Sequence, residues 1–228
     1  MRFDIMTLFP ELVMNVLGES IIGRAQKSGA ISVFAHNIRD YSKDKHRKVD
    51  DTPYGGGRGM LMSAPPIYDC YSAILSEIGE NTKKHVVFMS PKGKILTQDK
   101  AKELSSFDEL IILCGHYEGV DQRVIDEIID EEISIGDYVL TGGEIPACIL
   151  VDCVSRLVDG VLPDKECYES ESIACGMLEF PQYTRPYEFH GVAVPDVLIS
   201  GNHANIEKWR REEALKITEK NRPDLLKK

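Results

Sequence analysis

Two glycine-studded stretches hold the residues best suited to chemistry. The first is Ser134-Ile135-Gly136-Asp137-Tyr138-Val139-Leu140-Thr141-Gly142-Gly143-Glu144, with three glycines and two carboxylates in eleven residues. It lies between the acidic residues 126–132 and an apolar run at 145–151 rather than in a polar tail. Glycine lets a backbone approach a ligand or another segment closely, at an entropic cost, so this loop predicts a small-molecule pocket. The second stretch is Gly115-His116-Tyr117-Glu118-Gly119. There Gly115 would admit close approach, Tyr117 would pack, and Glu118 would face a cation or a hydroxyl. His116 taken alone reads as a surface turn residue. Tyr138 and Leu140 would supply apolar walls, and peptide groups of the glycine turns would read an adenine edge.

Arg156 and a row of acids, Glu166, Glu169, Glu171 and Glu179, supply a second kind of chemistry. An arginine near carboxylates suits proton abstraction with stabilisation of a developing oxyanion. Each acid alone reads first as solvated charge, and the sequence does not choose among them. The signatures of zinc deaminases, zinc proteases, α/β-hydrolases and Rossmann dinucleotide sites are absent. Residues 39–59 have neither helical nor strand period. They end in four glycines within positions 55–59, whose N–H groups could meet an anion. No Gly-Lys-Ser/Thr follows, so a triphosphate loop is disfavoured and a surface hairpin is the alternative.

The elements that must position these residues follow from periodicity. Strands are predicted at residues 3–9, 31–38, 85–89, 110–114 and 132–135. Helices are predicted from Pro10, over 20–28 with a stop at Gly29, and over 64–78, 97–105, 120–129 and 144–157. Turns fall at 91–93 and 115–119. Alternation of this kind implies an α/β fold, a parallel sheet with helices on both faces. In such sheets the ligand lies beyond the carboxyl ends of the strands, where segments 90–93, 115–119 and 136–143 would converge. Residues 159–180 break the pattern and read as a linker. Beyond them, residues 195–198 read as irregular, and a helix over 202–220 has Ile206, Trp209, Leu215 and Ile217 on its apolar side. The division expected is a first domain at 1–160, a linker at 161–175 and a small helical domain at 176–228.

The 228 residues are 43 % hydrophobic and 28 % charged, an ordinary globular composition. No apolar run nears the roughly 20 residues of a membrane span, and the N-terminus does not resemble a signal peptide, so the expectation is a cytoplasmic protein without membrane contact. Six cysteines without a Cys-x-x-Cys pair predict free thiols and no zinc site. A net charge of −10 disfavours an indiscriminate nucleic-acid binder. The charge is uneven: residues 118–137 carry eight acids against one base, while residues 39–58 carry six bases against four acids. From residue 207 onward eight bases face five acids. An anionic partner could dock at the basic loop and tail, though solvated helix faces explain the charge equally well.

Longer motifs carry a resemblance. Val49-Asp50-Asp51-Thr52-Pro53-Tyr54-Gly55-Gly56-Gly57-x-Gly59-Met60, Gly115-x-Tyr117-Glu118-Gly119 and Asp121-x-Arg123-Val124 occur in order with the 134–144 loop, Tyr183-Thr184-Arg185-Pro186 and Leu198-x-Ser200-Gly201-Asn202-His203. Together they resemble the bacterial tRNA (guanine-N(1)-)-methyltransferase family over nearly the whole chain. The resemblance implies a SPOUT-type parallel sheet with a deep C-terminal trefoil knot, plus a small helical C-terminal domain that binds tRNA. It implies S-adenosyl-L-methionine held by Pro91, Gly115, Tyr117, Glu118, Ser134, Ile135, Gly136, Asp137, Tyr138, Val139, Leu140 and Gly142. RNA contacts carry over to Asp50, Tyr54, Gly55, Arg58, Gly59, Glu179, Gln182, Arg185, Asn202 and His203. A homodimer with its active site between subunits is also implied, methylating guanosine at tRNA position 37 when another guanosine precedes it.

The catalytic pair carried over is Glu171, as base, and Arg156. The family's base is an aspartate in an Asp-Ser-Phe context, whereas here the position fifteen residues after Arg156 reads Ser170-Glu171-Ser172-Ile173, with Glu169 as a rival. Arg58 stands where the family has proline. Family members need Mg2+, although the sequence offers no metal cage. Two other readings compete, a SPOUT enzyme acting on ribose hydroxyls and an RNA-binding module without catalysis.

Overall fold

The apolar residues behind Met1 form β1 (Arg2–Thr7), the centre from which the larger part of the fold is built. The computed structural model describes residues 1–164, 172–173 and 175–227. It divides into two units, Met1–Pro163 and Asp164–Lys228. In the first unit β1 is flanked by β2 (Ser32–Asn37) and by β6 (Glu109–Cys114); β5 (Lys84–Ile95) and β7 (Glu131–Ser134) complete the sheet. The order is β2-β1-β6-β5-β7 and every pairing is parallel, with Phe3 opposite Val33 and Ile5 opposite Ile112. A parallel sheet is covered on both faces, which is why its strands read as continuous apolar runs.

Alternate residues build two cores. Phe3, Ile5, Val87, Met89, Ile112 and Ile133 face one side. There they meet helices α1 (Pro10–Leu17), α2 (Ser20–Ser28), α4 (Gln98–Leu104) and α6 (Glu144–Ser155). Met6, Val86, Phe88, Ile111 and Leu113 face the other, beneath α3 (Ala64–Glu77) and α5 (Gln122–Ile128). Two acids enter the interior here. Asp4 is fully buried, and Arg2 donates to it at 2.6 and 2.8 Å while His36 meets it at 2.7 Å. Burial pushes the Asp4 carboxyl up, and the bonds from Arg2 and His36 outweigh this and hold it low. Burial, then Asp4, pushes neighbouring Glu109 up to about 7.

Local signals place the ends. Gly29 takes φ +79 at the close of α2, and Thr97 and Asp121 accept the first free N–H groups of α4 and α5. The expected helix over 120–129 therefore starts only at Gln122. Residues 91–93 are not the expected turn: β5 runs on to Ile95, with a pairing irregularity between Met89 and Lys94 opposite β7. Within it Gly93 lies so close to the backbone of Glu132 and Ile133 that any side chain would collide. The aperiodic residues 39–59 contain a 3-10 turn, Ile38–Tyr41, and the arm of a hairpin in which β3 (Asp50–Asp51) pairs antiparallel with β4 (Leu61–Met62).

The second unit holds a hairpin of β8 (Glu188–Phe189) and β9 (Val192–Ala193), a short α7 (Asp196–Ile199) where irregular chain was expected, and α8 (His203–Asn221). The inner stripe of α8 is Ala214 and Thr218, with Ile206, Trp209 and Ile217 half-buried. Leu215, expected on that side, is exposed. Thr218 turns inward because its hydroxyl is satisfied, donating to Ala214 O at 2.7 Å and accepting from Leu178 N at 2.9 Å. Among the described residues no helix is long and apolar enough to cross a membrane, and the described cysteines are unbridged.

Candidate active site

The carboxyl ends of β5, β6 and β7 open into a cavity of about 250 Å³. Three segments converge on it, led by Ser90–Pro91, by the 115–119 turn and by the 134–143 loop. They are tied to one another: Gly143 N donates to Gly115 O at 2.8 Å, and Leu96 N donates to Ser134 O at 2.8 Å. Contact at the first tie is close, since a Cβ on Gly143 would come within 2.7 Å of Cys114 Cα. Phe88, Ile133, Ile135, Val139 and Leu140 make the walls apolar. The Tyr138 ring lies over Gly136, and its hydroxyl donates to Ile135 O at 3.3 Å. Tyr117 holds φ +58, a left-handed conformation uncommon for a side chain of its size.

The glycine-rich hairpin is docked on the same turn. Glu118 N donates to Met60 O at 3.0 Å and Met62 N to Gly119 O at 2.9 Å, which brings the Glu118 side chain over Gly59. Tyr54, at the tip, is 99 % exposed. Below the cavity Glu144 is buried and accepts from Thr7 Oγ1 at 2.9 Å, joining the start of α6 to the end of β1. Burial, and after it the charge of Glu144, pushes the Cys148 thiol up to about 11 and drives Cys114 well above its usual value. Neither thiol is therefore a nucleophile at neutral pH. Among the described residues no group of three His, Cys, Asp or Glu side chains could hold a metal ion.

Ten of the residues expected around a cofactor line this cavity: Pro91, Gly115, Tyr117, Glu118, Ser134, Ile135, Tyr138, Val139, Leu140 and Gly142. Gly136 supports Tyr138 from behind, and Asp137 faces solvent. Arg156 is not brought to the cavity. It caps the far end of α6, twelve residues from Glu144, or ~18 Å at the helical rise. Glu171, with Glu166 and Glu169, lies outside the described residues. Of the expected RNA contacts, Asp50, Tyr54, Gly55, Arg58 and Gly59 sit on the hairpin beside the cavity. Those in the second unit fall at several places. Gln182 donates to Glu179 at 3.4 Å, Asn202 caps α8 by accepting from Asn205 N at 3.2 Å, His203 opens that helix, and Arg185 is exposed.

Three features of the site were not foreseen. His116 is no surface turn residue: it is half-buried between Phe9 and Tyr117, ring centroids 5.1 and 4.8 Å away, with Nδ1 buried against Gly142. Its flanking glycines were the available signal. The Thr7–Glu144 bond spans most of the first unit, and no local pattern announces it. Arg39, from the 3-10 turn, donates to the Tyr117 hydroxyl at 3.3 Å.

Apolar walls fit a planar heterocycle, and the carboxylate of Glu118 beside them favours a cation. Comparison with known proteins finds a family and several relatives. The family model described as tRNA (Guanine-1)-methyltransferase TrmD matches residues 1–228. A protein from Ruminiclostridium cellulolyticum, tRNA (guanine-N(1)-)-methyltransferase, is 62 % identical over 100 % of this chain and 97 % of its own length. Proteins of the same description from Lachnospira eligens and Clostridioides difficile are 56 % and 54 % identical, covering 99 % and 100 % of this chain and 94 % and 98 % of their own.

Proposed function

The chain belongs to the tRNA (guanine-1)-methyltransferase family, and on that premise we propose that it moves a methyl group from S-adenosylmethionine to N1 of guanosine 37 of tRNA. The observation that carries this reading is the cavity at the strand ends, where two segments matching the family's motifs, 115–119 and 134–143, converge. S-adenosylmethionine, when bound, supplies an electrophilic methyl group on a sulfonium. The residues present fit it: Ile133, Ile135, Tyr138 and Leu140 would sandwich the adenine, and peptide groups at Gly115 and in the 134–143 loop would read its edge. A side chain on Gly115 would strike the Phe88 ring that lines the cavity, and one on Gly143 would strike the backbone of Cys114 and Gly115 that holds the segments together. Glu118 complements the positive charge.

Guanine N1 carries a proton at neutral pH and becomes nucleophilic when that proton leaves. Glu171 is the base in this reading, and the Arg156 guanidinium steadies the negative charge that grows on the neighbouring carbonyl oxygen. Arg156 cannot serve its own cavity from ~18 Å along α6, so the reading requires a homodimer in which it faces the partner's cavity. An exposed apolar face supports this: Phe9, Leu12 and Val16 on and before α1, with Ile145 and Ile149 on α6. A trefoil knot belongs to the same reading, supported by the close passage of Gly143 against Cys114 and Gly115. The second unit would grip the tRNA. The described residues hold no cluster that fits the magnesium the family needs.

Methyl transfer from labelled S-adenosylmethionine to two tRNA transcripts, differing only in guanosine or adenosine at position 37, tests the proposal. Label should enter the guanosine transcript and appear as 1-methylguanosine on nucleoside analysis. Equal labelling of both transcripts, or label on a ribose, would sink it.

A further inference from the structure

Six bases lie between residues 39 and 58, and their partners divide them. Lys43 pairs with Asp69, Arg47 with Asp40 and Lys48 with Asp51. Arg39, Lys45 and Arg58 make no ion pair among the described residues. Arg39 differs from the other two in bonding a residue that lines the cavity, Tyr117. Its backbone is fixed where Asn37 Oδ1 accepts from Arg39 N at 3.1 Å, and the following turn is anchored by fully buried Ile38. Its side chain is aimed by Tyr117, whose hydroxyl accepts from Nη2 at 3.3 Å. Tyr117 is itself constrained, at φ +58 with its ring edge-on to His116.

A guanidinium carries five N–H donors, and this contact uses one. The rest lie beside Tyr117, which lines a cavity that, in the reading above, takes a sulfonium cation, and Arg39 is not complementary to that charge. A planar fork with open donors matches a phosphate, and Arg39 opens the basic segment. We propose that Arg39 is a substrate-binding residue that anchors one RNA phosphodiester beside the nucleotide to be methylated. Tyr117 holds the fork from its hydroxyl while lining the cavity, so that the anchored phosphate presents its base to the methyl donor.

The experiment uses the full chain, R39Q and R39K, a tRNA transcript with guanosine 37, and the same transcript with a neutral methylphosphonate next to nucleotide 37. For R39Q the tRNA KM should rise about tenfold while kcat and the Kd for S-adenosylmethionine stay within about twofold. The slope of log KM against log salt should flatten by about 0.7–0.9, the release expected for one phosphate. R39K should regain most of both. The methylphosphonate should weaken the wild type and leave R39Q no weaker than before. An unchanged salt slope overturns the proposal. So does a weakened cofactor Kd with an unchanged tRNA KM, which would put Arg39 on the carboxylate of the methyl donor. The inference rests on the methyltransferase reading, and direct binding separates the two. A wild-type chain that binds tRNA with an Arg39-dependent salt slope yet transfers no methyl group fails that reading alone.

Discussion

As the proposed base, Glu171 carries one methylene more than the aspartate that the resemblance puts in its place. If Glu171 is the base, Glu171→Gln keeps size and polarity and removes only the proton acceptor. Turnover should then fall by roughly 10²–10⁴-fold, the usual range for a general base, with the Kd for S-adenosylmethionine by calorimetry unchanged. A collapse in Glu169→Gln with Glu171→Gln still active would move the role to Glu169. The cavity residues were legible at this scale because their types, glycines beside carboxylates and aromatics, are costly to keep in a plain loop. His116 and Glu144 were not. Each has its role set by a distant partner, Phe9 for one and Thr7 for the other, and a single sequence carries no signal for such pairs.

Two glycines at the ends of helices show why one residue type has different jobs in different elements. Gly29 closes α2 at φ +79, and a Cβ there would meet nothing within 4 Å. Gly29→Ala should therefore cost about 1 kcal/mol of backbone strain alone, lowering the thermal midpoint and leaving cofactor affinity intact. Gly143 precedes α6 with ordinary dihedrals, φ −84, but a Cβ would lie 2.7–2.8 Å from Cys114 Cα and Gly115 N. Backbone cannot swing aside as a side chain can. Gly143→Ala should cost about 1–3 kcal/mol and weaken S-adenosylmethionine by tenfold or more as the loops part. Equal thermal losses with equal, intact cofactor affinity would refute that distinction. Most elements were readable from their periods and caps. The continuation of β5 past Met89 was not, because Pro91-Lys92-Gly93 is local turn chemistry that pairing with β7 overrides. Nor was the outward Leu215: Thr218 takes the inward place once Ala214 and Leu178 satisfy its hydroxyl.

For the whole molecule, the distance between Arg156 and its own cavity makes assembly part of the proposed chemistry. Leu12 and Val16 on α1, with Ile145 and Ile149 on α6, give four exposed apolar side chains on two helices that pack together. Ile149→Glu would bury a charge in such an interface, so sedimentation velocity should shift from twice 25.6 kDa toward 25.6 kDa, and methyl transfer should fall with it. A fully active monomer would refute a shared site. The order of strands and helices, the parallel sheet and the three segments at its carboxyl edge were determined by the sequence, since periodicity and glycine placement act over a few residues. Tertiary structure decided what depends on separation in space. It joined Gly143 to Gly115, docked the glycine hairpin on the 115–119 turn, aimed Arg39 at Tyr117, and carried Arg156 away from the cavity. Those outcomes follow from packing between segments far apart in the chain, and packing of that kind leaves no mark at the scale of a motif.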